Sequence, residues 1–125
     1  MKAKVLFWVH SVAGLLFGIA FLLFPVFMSD FLGVSTDEMG TIPWRFFGLG
    51  ILAFAGIAFG SRNKLVQDVR TPIMLVFFLL YVGMVLLKLA LIIFASLDPN
   101  IWMWGVLAFH VVLAVWYGYY LFSRA

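Results

Sequence analysis

Few residues in this chain could do chemistry, and the most suggestive of them stand in apolar surroundings. Lys88 lies in Leu86-Leu87-Lys88-Leu89-Ala90, and His110 lies in Ala108-Phe109-His110-Val111-Val112. Lipid does not solvate an ionisable group, so one inside a membrane-length apolar run is a candidate for function. Lys88 is about nine residues inside the outer end of its run, ~13 Å at helical rise. A lysine stem can snorkel part of that distance. The ammonium can turn to backbone carbonyls, to the Tyr81 hydroxyl at i−7, to a lipid phosphate, or to a carboxylate supplied by something else. Lys88 is therefore either a structural plug, or a contact for an anion, a ligand or a partner helix. His110 is also about nine residues from the outer end of its run, at nearly the same depth. If the two runs are antiparallel neighbours across the turn at Asp98-Pro99-Asn100, the two side chains can share one polar spot. Tyr117 follows His110 on the same face at i+7. His110 reads either as a neutral histidine bonded across helices, or as a group that handles protons or contacts a quinone or other ligand.

Two more residues are candidates of lower rank. Arg45, in Pro43-Trp44-Arg45-Phe46-Phe47-Gly48, is expected at the outer interface. There it can anchor to lipid phosphates, pair with the acidic loop at Asp30, Asp37 and Glu38, or guard a ligand vestibule. His10, with Ser11, is given a structural role: it differs in depth from His110 by roughly 13 Å, and nothing near it completes a metal site. No catalytic constellation appears. Nucleophilic catalysis needs a nucleophile, a base and an orienting group within reach, and the adjacent His10 and Ser11 point to different helix faces. Paired-carboxylate chemistry needs two acids in one site, and the apolar runs contain none. The chain has no cysteine, so no disulfide, thiol nucleophile or Cys-ligated metal arises. No enzyme activity, cofactor or metal is expected.

The elements that must carry these residues follow from composition. The 125 residues are 66% hydrophobic and 10% charged, where soluble domains run near ~45–50% and ~25%. A soluble globule of this size could not hide so much apolar surface. A soluble enzyme, a disordered chain and a secreted disulfide scaffold are excluded, and an integral membrane protein remains. Four runs reach the ~20 apolar residues a spanning helix needs: about 5–28, 43–61, 72–97 and 101–123. Together they make one four-helix transmembrane domain over 1–125. The first run is too long for a signal-peptide core and lacks a cleavage motif, so it reads as a retained span. Pro43 and Pro72 are placed at helix starts, with Thr41 and Thr71 as N-caps. Pro25 is expected to bend or end the first span.

The charge balance is +3, from eight Lys and Arg against five Asp and Glu. The charges lie between apolar runs rather than in a nucleic-acid patch, so no nucleic-acid partner is expected. Lys2, Lys4, Arg62, Lys64, Arg70 and Arg124 fall on one side of four alternating spans. Asp30, Asp37, Glu38 and Asp98 fall on the other, with Arg45 nearby. The positive-inside rule then predicts an antiparallel bundle of four helices in the cytoplasmic membrane, both termini cytoplasmic. Trp44, Trp102 and Trp104 mark the outer interface, and Trp8, Trp116, Tyr119 and Tyr120 the inner one. Gly14 and Gly18, and again Gly56 and Gly60, form GxxxG patterns that let helix backbones approach. These serve either packing within the bundle or a seam for a second copy or a partner subunit.

The order of features has a family likeness. His10-Ser-Val-Ala-Gly14-Leu-Leu-Phe-Gly18, an apolar helix ending at Pro25, an acidic loop, Arg45-Phe-Phe-Gly-Leu-Gly50 and Gly60-Ser-Arg62 follow one another. This resembles small four-span membrane proteins of bacteria and archaea and is more distantly similar to the DoxX-like four-helix proteins. The resemblance implies a fold. It also implies an association with respiratory or thiol-oxidising complexes, although thiol chemistry has no cysteine here to use. The leading expectation is a non-catalytic accessory or scaffolding subunit of a larger membrane complex. Its partners would be membrane lipids and other subunits or itself. The alternatives are a small-solute transporter or channel, or a lipid- or quinone-binding protein using Lys88, His110, Tyr81, Tyr117 and Arg45.

Overall fold

Pro25 decides the first departure from a simple row of four helices. Its ring removes the N–H that would bond the Phe21 carbonyl and crowds that carbonyl sterically. The residue before a proline is also pushed out of the helical region, and Phe24 lies at φ −129°, ψ 56°. In the computed structural model, which describes residues 3–63, 67–96 and 98–123 (main chain alone for 67–70), helix α1 runs Ala3–Leu23 and a short α2 starts afresh at Pro25–Phe31. The expected span over 5–28 is thus two helices. Gly33, at φ 77°, ends α2. Its N–H bonds the Asp30 carbonyl at 3.0 Å, and the Val34 N–H bonds the Ser29 carbonyl at 2.8 Å. That pair of bonds is a Schellman motif, which asks for glycine at the left-handed position.

Helix α3 is Thr41–Ser61, α4 is Gln67–Phe94 and α5 is Ile101–Phe122. No strand occurs among the described residues. Ala3–Leu23, Thr41–Ser61, Thr71–Phe94 and Ile101–Phe122 are each long and apolar enough to cross a membrane. The all-helical, four-span architecture therefore stands as expected.

The helix starts differ from the expected ones. Thr41 is the first residue of α3, and Gly40 is its N-cap. Capping has moved upstream, where Asp37 Oδ1 accepts from the Gly40 N–H at 2.8 Å. Pro43 still sits in the first turn, where no N–H is needed. Pro72 does not: α4 begins five residues before it, so Pro72 is inside the helix and Thr71 is no cap. The clearest cap is Asn100, whose side chain accepts from the Met103 N–H at 2.9 Å and opens α5. Lys2, Lys64, Arg124 and Leu97 lie outside the described residues, as does the Arg70 side chain.

The chain divides into two compact units, Met1–Lys64 and Leu65–Ala125. In the first, α1 packs on α3 in antiparallel fashion: a Cβ on Gly14 would touch Ala55, one on Gly18 would touch Leu52, and one on Gly48 would touch the Leu22 main chain. The seam is backbone against backbone. A methyl on Gly48 would lie 2.8 Å from both the Gly18 carbonyl oxygen and the Leu22 nitrogen. Gly14 and Gly18 thus join the seam within the unit, and Gly56 and Gly60 do not, so of the two expected roles only the one toward a second copy or a partner stays open to them. Among the described residues, nothing lies within 4 Å of where a Cβ on Gly56 or Gly60 would be. Gly48 and Ala55, two helical turns apart, take that place because they are the small residues on the face that meets α1.

Candidate functional site

The second unit is an antiparallel pair, α4 against α5. The turn between them includes Ser96, at φ 54°, and closes with the Asn100 cap. Side chains seven residues apart on a helix return to nearly the same face, two turns along. Tyr81 and Lys88 are so related on α4, and His110 and Tyr117 on α5. Antiparallel packing then sets Lys88 opposite His110 and Tyr81 opposite Tyr117.

The contacts follow that register. Lys88 Nζ lies 2.9 Å from His110 Nδ1. The Tyr81 ring lies 5.5 Å from the His110 ring and is stacked on Tyr117 at 6.1 Å with 12° between planes. Phe77 continues the column, 5.4 Å from Tyr117. Tyr81, Tyr117 and Phe77 are buried, at 7%, 0% and 0% exposure, whereas Lys88 and His110 are half-buried. The column is thus closed at its aromatic end and accessible at its polar end.

Proton accounting gives the polar end its character. A lysine ammonium has three N–H donors and accepts none. With Lys88 as an ammonium, His110 accepts at Nδ1, so its imidazole is neutral and carries its hydrogen on Nε2. Two hydrogens on Nζ and one on Nε2 then face outward from the bond. The pair offers donors and one positive charge, and no Asp or Glu lies in any of the four spans. What it can do chemically is hold an acceptor, above all an anionic one.

The other sequence candidates are placed elsewhere. Arg45 belongs to the first unit. Its Nη1 donates to the Leu22 carbonyl at 2.7 Å. The break at Phe24 strips the last carbonyls of α1 of their helical partners, and a cation at a helix C-terminus is favourable. Arg45 is a clamp on the break. Trp44 assists it, stacking flat on Phe21 at 5.3 Å and 1°. His10 is buried in the first unit at 3% exposure, and Ser11 Oγ donates to the Phe7 carbonyl one turn back at 2.7 Å. Among the described residues, no three His, Asp or Glu side chains gather as a metal site would require.

Three contributors escaped the sequence reading. Phe77 looked like one of many phenylalanines, although its spacing from Tyr81 (i+4) was a legible cue. Gly118 gives room to Phe78, whose ring would lie 3.0 Å from a Cβ there. Arg62 reads in the sequence as a topology signal, yet its guanidinium lies over the Phe59 ring at 3.5 Å and near the Trp8 ring at 5.2 Å. Comparison with family models, curated proteins and solved structures finds no match to the chain.

Proposed function

We propose that the protein is a non-catalytic accessory or scaffolding subunit of a larger assembly in the cytoplasmic membrane, with both termini in the cytoplasm. In this reading the Lys88–His110 pair is where a membrane-embedded acidic group of a partner engages. The observation that carries it is the 2.9 Å contact between Lys88 Nζ and His110 Nδ1. That bond satisfies one donor, and no described acid compensates the charge, in a chain whose spans hold no carboxylate. Bare charge within a bilayer is costly and is characteristically paired, so the missing acceptor is expected from another molecule. Orientation rests on the lysines and arginines named above.

The test is native mass spectrometry of the protein extracted gently from its own membrane, as wild type and as Lys88→Glu. A stoichiometric partner protein that is lost on charge reversal, and regained when an intramembrane Asp or Glu of that partner is changed to Lys, supports the reading. A lone monomer or homo-oligomer carrying a defined small molecule overturns it. That outcome would favour a second reading, a binder of a lipid or quinone, because Tyr81, His110 and Tyr117 form a ring column beside the donors. Reporter fusions at each terminus test the orientation, and an external reporter at either end refutes it.

A further inference from the structure

Independently of that reading, the other end of the first unit brings Lys4, Trp8 and Arg62 to one corner. On α1, Lys4 and Trp8 are one turn apart and share a face. Antiparallel packing brings the last turn of α3 against that face, and Trp8 meets Phe59 edge-on at 5.6 Å and 88°. Arg62, the C-cap of α3, folds back over this aromatic corner. Its guanidinium carbon lies 3.5 Å from the Phe59 ring centre and 5.2 Å from that of Trp8. Its Nη1 donates to the Phe59 carbonyl. Ring stacking and one carbonyl bond thus fix a side chain that otherwise has great rotamer freedom, at little cost to its remaining N–H donors.

A fixed guanidinium fork is suited to a phosphate diester, which it can hold through two parallel bonds. Lys4 is exposed, one turn toward the end of the helix from Trp8, and adds a second positive charge. The acids of this unit, Asp30, Asp37 and Glu38, all lie at its opposite end. The level is also right for a headgroup, because α1 and α3 each have 21 residues, about 31 Å of helix against a hydrocarbon core of ~30 Å. Below the corner, Val5, Trp8 and Val12 are exposed and offer an acyl chain an apolar path along α1. We propose that Lys4, Trp8 and Arg62 bind the phosphate headgroup of an anionic phospholipid, with the acyl chain laid on α1.

The experiment is native mass spectrometry of the purified protein offered equal amounts of a phosphatidylglycerol and a phosphatidylcholine of the same chains, with inorganic phosphate as a competitor. Wild type should retain phosphatidylglycerol in preference. Arg62→Gln and Lys4→Gln should each lower that retention about ten-fold, the scale of one charge-assisted hydrogen bond. Arg62→Lys, which keeps the charge but loses the fork and the stacking, should fall between. Equal retention of the two lipids by wild type overturns the proposal, as does undiminished retention in Lys4→Gln and Arg62→Gln. Displacement of the lipid by millimolar inorganic phosphate would assign the corner to free phosphate instead and overturn the lipid assignment. If Arg62→Gln does not fold, Lys4→Gln decides alone, since its side chain projects from the helix surface.

Discussion

Replacing Lys88 with leucine separates a lysine that holds this protein together from one that holds it to something else. Among the described residues, Lys88 has one polar contact, the 2.9 Å bond to His110. Hydrogen bonds between membrane helices are modest, averaging about 0.6 kcal/mol and reaching about 1.7 kcal/mol, because the inserted but unfolded chain also finds partners. Leucine restores an apolar side chain of similar reach along a face where Leu87 and Leu91 are already exposed. In the isolated protein, Lys88→Leu should therefore shift unfolding stability by no more than about 1 kcal/mol.

Insertion of α4 alone obeys a different rule, because there the lysine is transferred from water. Lys88 is six residues from the end of α4 at Phe94, roughly 9 Å deep at helical rise. A central lysine costs about 2.5–3.5 kcal/mol on insertion scales and leucine is slightly favourable. Lys88 is off-centre and its stem can snorkel toward the interface, so the substitution should ease insertion by less than about 3 kcal/mol. The assays are steric trapping of the purified protein in bicelles for folding and a translocon insertion assay on the α4 segment. A folding loss above about 2 kcal/mol would exceed any single membrane hydrogen bond and would mean that Lys88 is an internal brace. That result would refute the argument that its charge is kept for an outside partner.

Other substitutions test the remaining physics. Gly48→Ala drives a methyl to 2.8 Å from fixed main-chain atoms of Gly18 and Leu22 and should cost about 1–3 kcal/mol of folding stability by overpacking. Gly60→Ala, facing open space, should stay within about 0.5 kcal/mol of wild type in the same unfolding assay. Asn100→Ala removes the 2.9 Å cap on the Met103 N–H and should cost about 1 kcal/mol, seen as faster amide exchange in the first turn of α5. Arg45→Gln withdraws the cation from the Leu22 carbonyl. A loss of about 0.5–1 kcal/mol is expected, small because Arg45 is exposed, with exchange quickening at the Phe24–Pro25 break.

Fold class was legible because it depends on bulk properties. Run length and composition mark four spans whatever the packing, and Lys88 and His110 could be paired from depth and the turn at 98–100 alone. What stayed hidden depends on which face of a helix meets which. The repeated GxxxG of α3 is a stronger pattern than Gly48 with Ala55, yet rotation of the helix turns Gly56 and Gly60 outward and the weaker pattern into the seam. Helix starts were misplaced for a related reason. Proline at a first turn and proline inside a helix look alike in sequence, and Pro72 could be told from Pro43 only by finding that α4 begins at Gln67.

The two helix pairs solve the same problem differently, and the difference bears on function. Lipid tails are as apolar as leucine, so helices in a bilayer associate through close packing and hydrogen bonds rather than through apolar burial. The α1–α3 pair uses small residues: a methyl at Gly14 or Gly18 would strike Ala55 or Leu52, and at Gly48 the main chains are so close that a methyl would strike those of Gly18 and Leu22. The α4–α5 pair instead relies on ring contacts and on a polar bond between Lys88 and His110. A neutral pair such as Asn with His would supply that bond without a charge. A lysine supplies the same bond and adds a positive charge with two further donors, which the pair's own packing has no use for. Lys4 and Arg45, the other cations of the spans, lie within about a turn of a helix start, and no span holds a carboxylate; on the proposed reading the surplus at Lys88 serves recognition rather than stability.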